Sequence, residues 1–152
     1  MATRKELRAE IADARAMLQR AIVESAGNWE APGPGQEGEE AWSARQAIEH
    51  CAGAEVFFAS AISEACGYPP LELKRESFAT AGDAAEHFSR AAAKADGILQ
   101  HVTDEDLAKK VDEDKRLGGM SVEQIMALAA HHARDHAGQA LTAASAQAAA
   151  TG

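Results

Sequence analysis

Apolar residues recur at every third or fourth position over four long stretches of the chain, which is the pattern of amphipathic helices. In the first stretch, residues 3–26, arginines occupy the face opposite the apolar stripe. The predicted buried positions are Leu7, Ile11, Ala14, Leu18, Ala21, Ile22 and Ser25, and the predicted solvent positions are Arg4, Arg8, Arg15 and Arg20. Gly27 ends this helix, and we expect a mobile loop over 32–38, where Pro and Gly residues cannot continue a helix.

Three further helices begin at capping signals, a Ser or Asp followed three residues later by Gln or Glu. The second helix is predicted from Ser43 to about Ala65, the third from Asp83 through Leu99, and the fourth from Ser121 to about Gln147. The sequence shows no internal repeat. We therefore predict one helical domain over 1–147, followed by a frayed, alanine-rich tail over 148–152.

The connection between the second and third helices is long enough for a crossover. The sixteen residues from Gly67 to Gly82 reach roughly 50 Å at about 3.3 Å each, whereas the second helix is about 35 Å long. These two helices can therefore run parallel instead of forming a hairpin. Hydrophobic residues make up 46% of the chain and aromatic residues only 5%, with long alanine runs. This composition favours an all-α fold, a four-helix bundle, over a sheet.

Charge and cysteine content narrow the classes of function. The formal net charge of −9 leaves no basic stripe for nucleic acid. No run of 18 apolar residues predicts a membrane helix, so we expect a soluble, cytoplasmic protein. Cys51 and Cys66 lie fifteen residues apart in one helix, roughly 22 Å along its axis, which no disulfide spans. Both are expected to be reduced and mostly buried.

Two histidines in the fourth helix point toward the core. At 100° per residue, His132 and His136 fall within about 20° on either side of a stripe centred on Ile125. Residues four apart on one helical face are spaced so that two imidazoles can bind one metal ion. Their neighbour His131 lies about 120° away, where Asp135 is its i+4 partner, and we interpret that pair as a surface contact.

A third inward histidine comes from another helix. His50 falls within the apolar arc of the second helix, near one edge, whereas His87 and His101 fall off the stripe of the third helix and are expected to be exposed. Each unpaired buried polar group costs about 1–3 kcal/mol, so three inward histidines favour a shared partner. A metal site is therefore the leading hypothesis, and a set of structural core histidines is the alternative.

Two other kinds of active site are weakly supported or excluded. A di-iron carboxylate centre needs Glu-x-x-His on two helices, and no Glu stands three residues before a histidine. A serine nucleophile of the hydrolase type has little support, because the chain has no Gly-x-Ser-x-Gly turn.

The chain resembles the DinB-like superfamily of small four-helix bundles. The resemblance is carried by Trp42-Ser43 ahead of His50, by the helix start Gly119-Met120-Ser121-Val122, and by His132-x-x-x-His136-x-Gly138-Gln139. It implies that His50, His132 and His136 together bind one divalent metal in a bundle of up-down-down-up topology. The family often has Arg before the final Gly-Gln, where this chain has Ala137, so this position does not supply whatever that Arg does in the family.

Three imidazole ligands leave a divalent ion with its full charge and an open position, as in a catalytic zinc site. Zinc is the first choice, with nickel, iron or manganese as alternatives. Such an ion can lower the pKa of bound water or bind a thiol as thiolate. Relatives in the resembling family include transferases that use low-molecular-weight thiols such as bacillithiol or mycothiol, and a mycothiol-dependent isomerase. By this analogy we expect a thiol S-transferase acting on a small-molecule electrophile.

Other classes of function stay open. They are a metal-dependent hydrolase, a non-catalytic metal or small-ligand binding bundle, and a structural bundle with vestigial histidines. The alanine-rich faces of the first and third helices could pair with a second copy, which predicts a homodimer.

Four residues are candidates for supporting roles. Gln139 lies one turn beyond His136, where its amide could orient a ligand or simply pack at the helix. Glu55 could act as a general base only if the bundle brings it round, because it lies on the opposite edge of its helix from His50. Trp29 and Trp42 flank the Gly/Pro loop and either wall a pocket or pack the loop ends.

Overall fold

Four long helices make up most of the described part of the protein. The structure, a computed structural model, describes the backbone of residues 2–151 and the side chains of residues 2–146. The helices are α1 (Arg4–Glu24), α2 (Ala44–Ala65), α3 (Ala81–Leu99) and α4 (Val122–Thr151), with short 3₁₀ turns at Ala26–Asn28, Gly38–Ala41 and Glu105–Ala108. The predicted all-α class is confirmed. The predicted frayed tail, 148–152, lies outside the residues whose side chains are described.

The predicted cap of α2 is confirmed in both directions. The Gln46 backbone N–H donates to Ser43 Oγ at 3.2 Å, and the Ser43 N–H donates to the Gln46 side-chain oxygen at 2.9 Å. Ser121 and Gln124 make the same reciprocal pair ahead of α4, at 3.1 and 2.9 Å. Each pair satisfies backbone donors that a helix start leaves without an intrahelical partner.

The predicted cap of α3, Asp83, is wrong by three residues. The helix begins at Ala81, and Thr80 is its cap, because Thr80 Oγ1 accepts from the Asp83 N–H at 3.1 Å. Asp83 is therefore a residue of the first turn, where its negative charge suits the positive end of the helix dipole.

The helices run up-down-down-up, as the resemblance implies. α4 packs against α1 and α2, and α2 also packs against α3. At one end of the bundle lie Leu7, Ile11, Phe58, Ile62, Leu99, Ile125 and Met126; at the other end lie Leu18, Ile22, Ile48, Phe88 and Ala140. The first group comes from the starts of α1 and α4 and the ends of α2 and α3. Helices α1 and α4 are therefore parallel to each other and antiparallel to α2 and α3.

The long crossover returns along α2. Near its start the Pro69 carbonyl accepts from Ser63 Oγ at 2.8 Å, and near its end the Phe78 N–H donates to Glu49 Oε2 at 2.6 Å. Ser63 and Glu49 belong to the last and first parts of α2. The fully buried Phe78 side chain anchors the end of the crossover in the core, just before α3 begins.

Within the described part of the chain, none of the helices is both long and apolar enough to cross a membrane. Cys51 is buried and Cys66 is half-buried, and both are free thiols. Burial raises the pKa of both thiols, so neither is an activated nucleophile.

Arg15 joins three helices, contrary to its predicted place on the solvent face of α1. Its Nη2 and Nε atoms lie 2.6 and 2.8 Å from Oε1 of Glu55 on α2, and its Nη1 atom lies 2.8 Å from Asp96 on α3. The Glu55 side chain is only 7% exposed. Burial raises the pKa of Glu55, and the guanidinium of Arg15 opposes that rise. The residue borders the apolar stripe, and its long side chain reaches the neighbouring helices.

Glu55→Gln should lower the free energy of unfolding by about 3 kcal/mol, because it leaves the buried side of Arg15 without a counter-charge. The matched control is Glu86→Gln, which removes an exposed partner of Arg90 and should cost less than about 0.5 kcal/mol. Urea unfolding monitored by circular dichroism measures both. Equal losses of unfolding free energy in the two variants would contradict a stabilising role for the buried Arg15–Glu55 ion pair.

Candidate metal centre

Three histidines converge between α2 and α4. His50 comes from α2, and His132 and His136 come from successive turns of α4. Their candidate ligand nitrogens all lie within 4.8 Å of one another, and the Nε2 atoms of His50 and His132 are 3.0 Å apart. The packing of the two helices thus brings together the three residues selected from the sequence.

The three imidazoles differ in exposure. His136 is buried at 5% exposure, His132 is half-buried, and His50 is exposed. His50, which was predicted near the edge of its helical arc, is exposed, and its ring lies against those of His132 and His136. The cluster consequently has a buried side at His136 and a solvent side at His50, from which a small molecule can approach.

The nitrogen spacing fits a small divalent ion. In a tetrahedral zinc site with nitrogen ligands at 2.0–2.1 Å, neighbouring nitrogens lie about 3.3 Å apart. The His50–His132 separation of 3.0 Å is close to that value, and the candidate ligand atoms of all three residues lie within 4.8 Å of one another. The three histidines therefore fit one divalent metal as a donor set.

Gln139 fixes the orientation of His136. Its Nε2 amide donates to the backbone carbonyl of Glu39, so its Oε1 atom is directed at His136 Nδ1, 2.5 Å away. An amide oxygen only accepts, so Nδ1 must carry the proton. In the neutral ring this leaves Nε2 as the nitrogen that can bind a metal, which is the arrangement that ligand histidines adopt with a polar partner.

Trp42 packs against two of the histidines. Its ring lies nearly parallel to that of His136, with centroids 6.0 Å apart, and tilted against that of His50 at 5.2 Å. It therefore walls the cluster. Trp29 instead joins the start of the Gly/Pro loop to the end of the crossover, because it is buried and its indole N–H donates to the Phe78 carbonyl at 2.9 Å.

The Gly/Pro loop is pinned by backbone hydrogen bonds, although the sequence predicted a mobile one. Gly33 and Gly35 donate to the carbonyls of Ala41 and Glu40 at 3.0 and 2.9 Å. A Cβ atom on Gly33 would lie 2.4 Å from the Glu40 carbonyl oxygen, so only glycine permits this approach. The pinned loop precedes Trp42 and presents the Glu39 carbonyl to Gln139.

The site favours neutral imidazoles. Burial, together with the nearby imidazoles of His136 and His50, lowers the pKa of His132 to about 4. Burial also lowers the pKa of His50. Both rings are therefore neutral near pH 7, the form in which a ring nitrogen can bind a metal.

The other histidines lie apart from the cluster. His131 Nε2 is 3.1 Å from Asp135 on the exposed face of α4, in agreement with the sequence interpretation. His101 is exposed, as expected. His87 was expected to be exposed but is half-buried, because its ring stacks on Phe78 with centroids 5.3 Å apart.

The cluster receives no charge from Glu55, and none from position 137, where the family often has Arg and this chain has Ala. Glu55 is held by Arg15 in the ion pair between α1 and α2, so the structure does not bring its carboxylate to the histidines. Ala137 is 1% exposed and packs in the core, where an arginine side chain would displace neighbouring apolar residues.

A protein-family model described as the DinB superfamily matches residues 28–140. The matched range includes all three clustered histidines, together with Trp42 and Gln139. Comparison with curated proteins and with solved structures finds no match.

Gln139→Ala should weaken metal binding about 10- to 100-fold, because the His136 ring loses the acceptor that fixes its tautomer. The measurement is a competition titration of divalent zinc against a chromophoric chelator. Thr142→Ala is the control, since Thr142 is an exposed residue three positions further along α4. If both variants bind the metal as tightly as the unmodified protein, Gln139 has no orienting role.

Proposed function

The chain belongs to the DinB superfamily, and we propose that it is a metal-dependent enzyme that transfers a low-molecular-weight thiol to a small-molecule electrophile. Its three-histidine group fits a metal-binding member of that superfamily. The observation that carries the proposal is the convergence of three imidazoles with an open, solvent-facing side at His50.

The chain's own residues supply binding and orientation. His50, His132 and His136 would hold the ion, and Gln139 keeps His136 in the ligand tautomer. When bound, a divalent ion with three neutral ligands supplies Lewis acidity that favours thiolate over thiol near neutral pH. In the proposed transfer, a sulfur–carbon bond forms while the electrophile's leaving group departs with its electron pair. The proton of the thiol passes to solvent.

Zinc is the metal we propose, since it is common with histidine ligands and needs no redox partner. Nickel, iron and manganese are alternatives, because three nitrogen ligands discriminate weakly among divalent ions. The proposal places the protein in the cytoplasm, where low-molecular-weight thiols are kept reduced. A homodimer through α1 and α3 stays a prediction.

The absence of a carboxylate base among the clustered ligands favours a second candidate, a bundle that binds a metal or small ligand without turning it over. Among the described residues, the group of potential ligands at the site consists of histidines alone, and Glu55 is engaged by Arg15. A hydrolase at the same site would have no carboxylate within this group of ligands to take a proton from water. Thiol transfer needs no such base, and for this reason we favour it over hydrolysis.

The zinc-loaded protein should consume a model electrophile, such as a haloaromatic compound, only when a low-molecular-weight thiol is added. His136→Ala and His132→Ala should abolish both the bound zinc and this turnover. His131→Ala is the matched control, because it removes the neighbouring surface imidazole and should leave both unchanged. Metal analysis and thiol-consumption kinetics measure the two properties.

Three results distinguish the candidates. Zinc retained without turnover across a panel of thiols and electrophiles supports the non-catalytic bundle. Turnover of an ester or amide without thiol supports a hydrolase. A folded protein that binds no zinc would contradict every metal-dependent candidate.

A further inference from the structure

A cleft of about 600 Å³ adjoins the histidine cluster on its solvent side. His50 and His132 form one wall of this cleft, so a molecule bound in it would lie against the candidate metal site. The crossover after α2 and the loop before α4 also line the cleft, and we call their lining residues Leu73, Lys74, Arg75, Arg116 and Leu117 the rim. The volume is in the range of small-molecule binding sites.

The rim is cationic on a protein whose net charge is −9. Among the described residues, no ion pair to a carboxylate within 4.0 Å involves Lys74, Arg75 or Arg116. Two carboxylates also line the cleft. Glu49 accepts from Arg45 and from the Phe78 N–H, and Glu76 Oε2 lies 3.4 Å from His87 Nδ1. The three cations of the rim therefore outnumber the carboxylates of the cleft and form no ion pair with them.

The floor of the cleft is aromatic. Phe57 and Phe58 line it, and the Phe58 ring meets His132 edge-on with centroids 5.4 Å apart. The Arg116 guanidinium lies 4.7 Å from the centroid of the Phe57 ring, a cation–π contact that holds the charge above the apolar floor. Apolar surface and positive charge are thus presented to the same bound molecule.

The backbone beside Arg116 is held in an unfavourable conformation. Leu117 has φ +64°, in the left-handed region that is unfavourable for a non-glycine residue and that occurs often at binding sites. The surrounding loop enforces it, because the Gly118 N–H donates to the Lys115 carbonyl at 3.0 Å and the Gly119 N–H donates to the Val111 carbonyl at 2.9 Å. The Arg116 side of the cleft is therefore preformed.

We propose that this cleft binds an organic anion, a carboxylate or phosphate ester with an apolar body, and that this is the class of electrophile used at the metal site. The anionic group lies on Lys74, Arg75 and Arg116, and the apolar body lies on Phe57 and Phe58. The assignment of this molecule as the electrophile rests on the proposed function, whereas the anion preference of the cleft does not.

The test compares 4-phenylbutanoate with the neutral 4-phenylbutanamide by calorimetric titration of the full chain, both zinc-loaded and metal-free. The acid should bind about 3- to 10-fold more tightly than the amide, as expected for a few partly exposed charge contacts. Arg116→Met and the double variant Lys74→Met/Arg75→Met should each reduce that preference. Arg20→Met, which removes an exposed cation on α1 outside the cleft, matches the charge change of Arg116→Met and should leave the preference intact.

Several results would overturn the inference. These are equal binding of acid and amide, a preference that survives both cleft variants, and an equal loss in Arg20→Met. A preference seen only with zinc bound and insensitive to the cleft variants would assign the anion to the metal instead. If the protein takes up no zinc, the proposed function fails while the metal-free titrations still test the cleft. Phenyl phosphate as a third ligand shows which acid group is preferred.

Discussion

The candidate site depends on the packing of α2 against α4, which is the contact that brings His50 to His132 and His136. Both helices present small buried residues to the core. These include Ala44, Ala47 and Ala52 on α2 and Ala133, Ala137 and Ala140 on α4. Small side chains let packed helices approach closely. Across the α2–α4 contact, the candidate ligand nitrogens of His50, His132 and His136 lie within 4.8 Å of one another.

The candidate site at this contact has a buried side and a solvent side that differ in structure. On the buried side, the pinned Gly/Pro loop supplies the Glu39 carbonyl that orients Gln139, and Gln139 in turn orients His136. On the solvent side, His50 is exposed and a cationic, aromatic cleft begins. A rigid interior ligand and an open exterior ligand are the combination expected where an ion must be held firmly yet remain accessible.

The sequence was sufficient to predict the helices, two of the three caps and the members of the histidine cluster, because each depends on local periodicity or on a short spacing. The helical angles selected His132 and His136 and excluded His131, and the structure agrees. The errors concern contacts between distant segments. Arg15 was placed in solvent because a helical pattern does not show which neighbouring helix carries Glu55. The loop before α2 was expected to be mobile because hydrogen bonds between its two halves leave no periodic signal. Thr80 was missed because Asp83 matched the same capping pattern three residues later.

The most direct test of this account is X-ray absorption at the zinc edge on the zinc-loaded protein. We predict three imidazole nitrogens at about 2.0–2.1 Å and a further light-atom ligand, with loss of one imidazole in His50→Ala. A sulfur ligand at about 2.3 Å, such as the neighbouring Cys51 would provide, would contradict the three-histidine centre. So would an unchanged imidazole count in that variant.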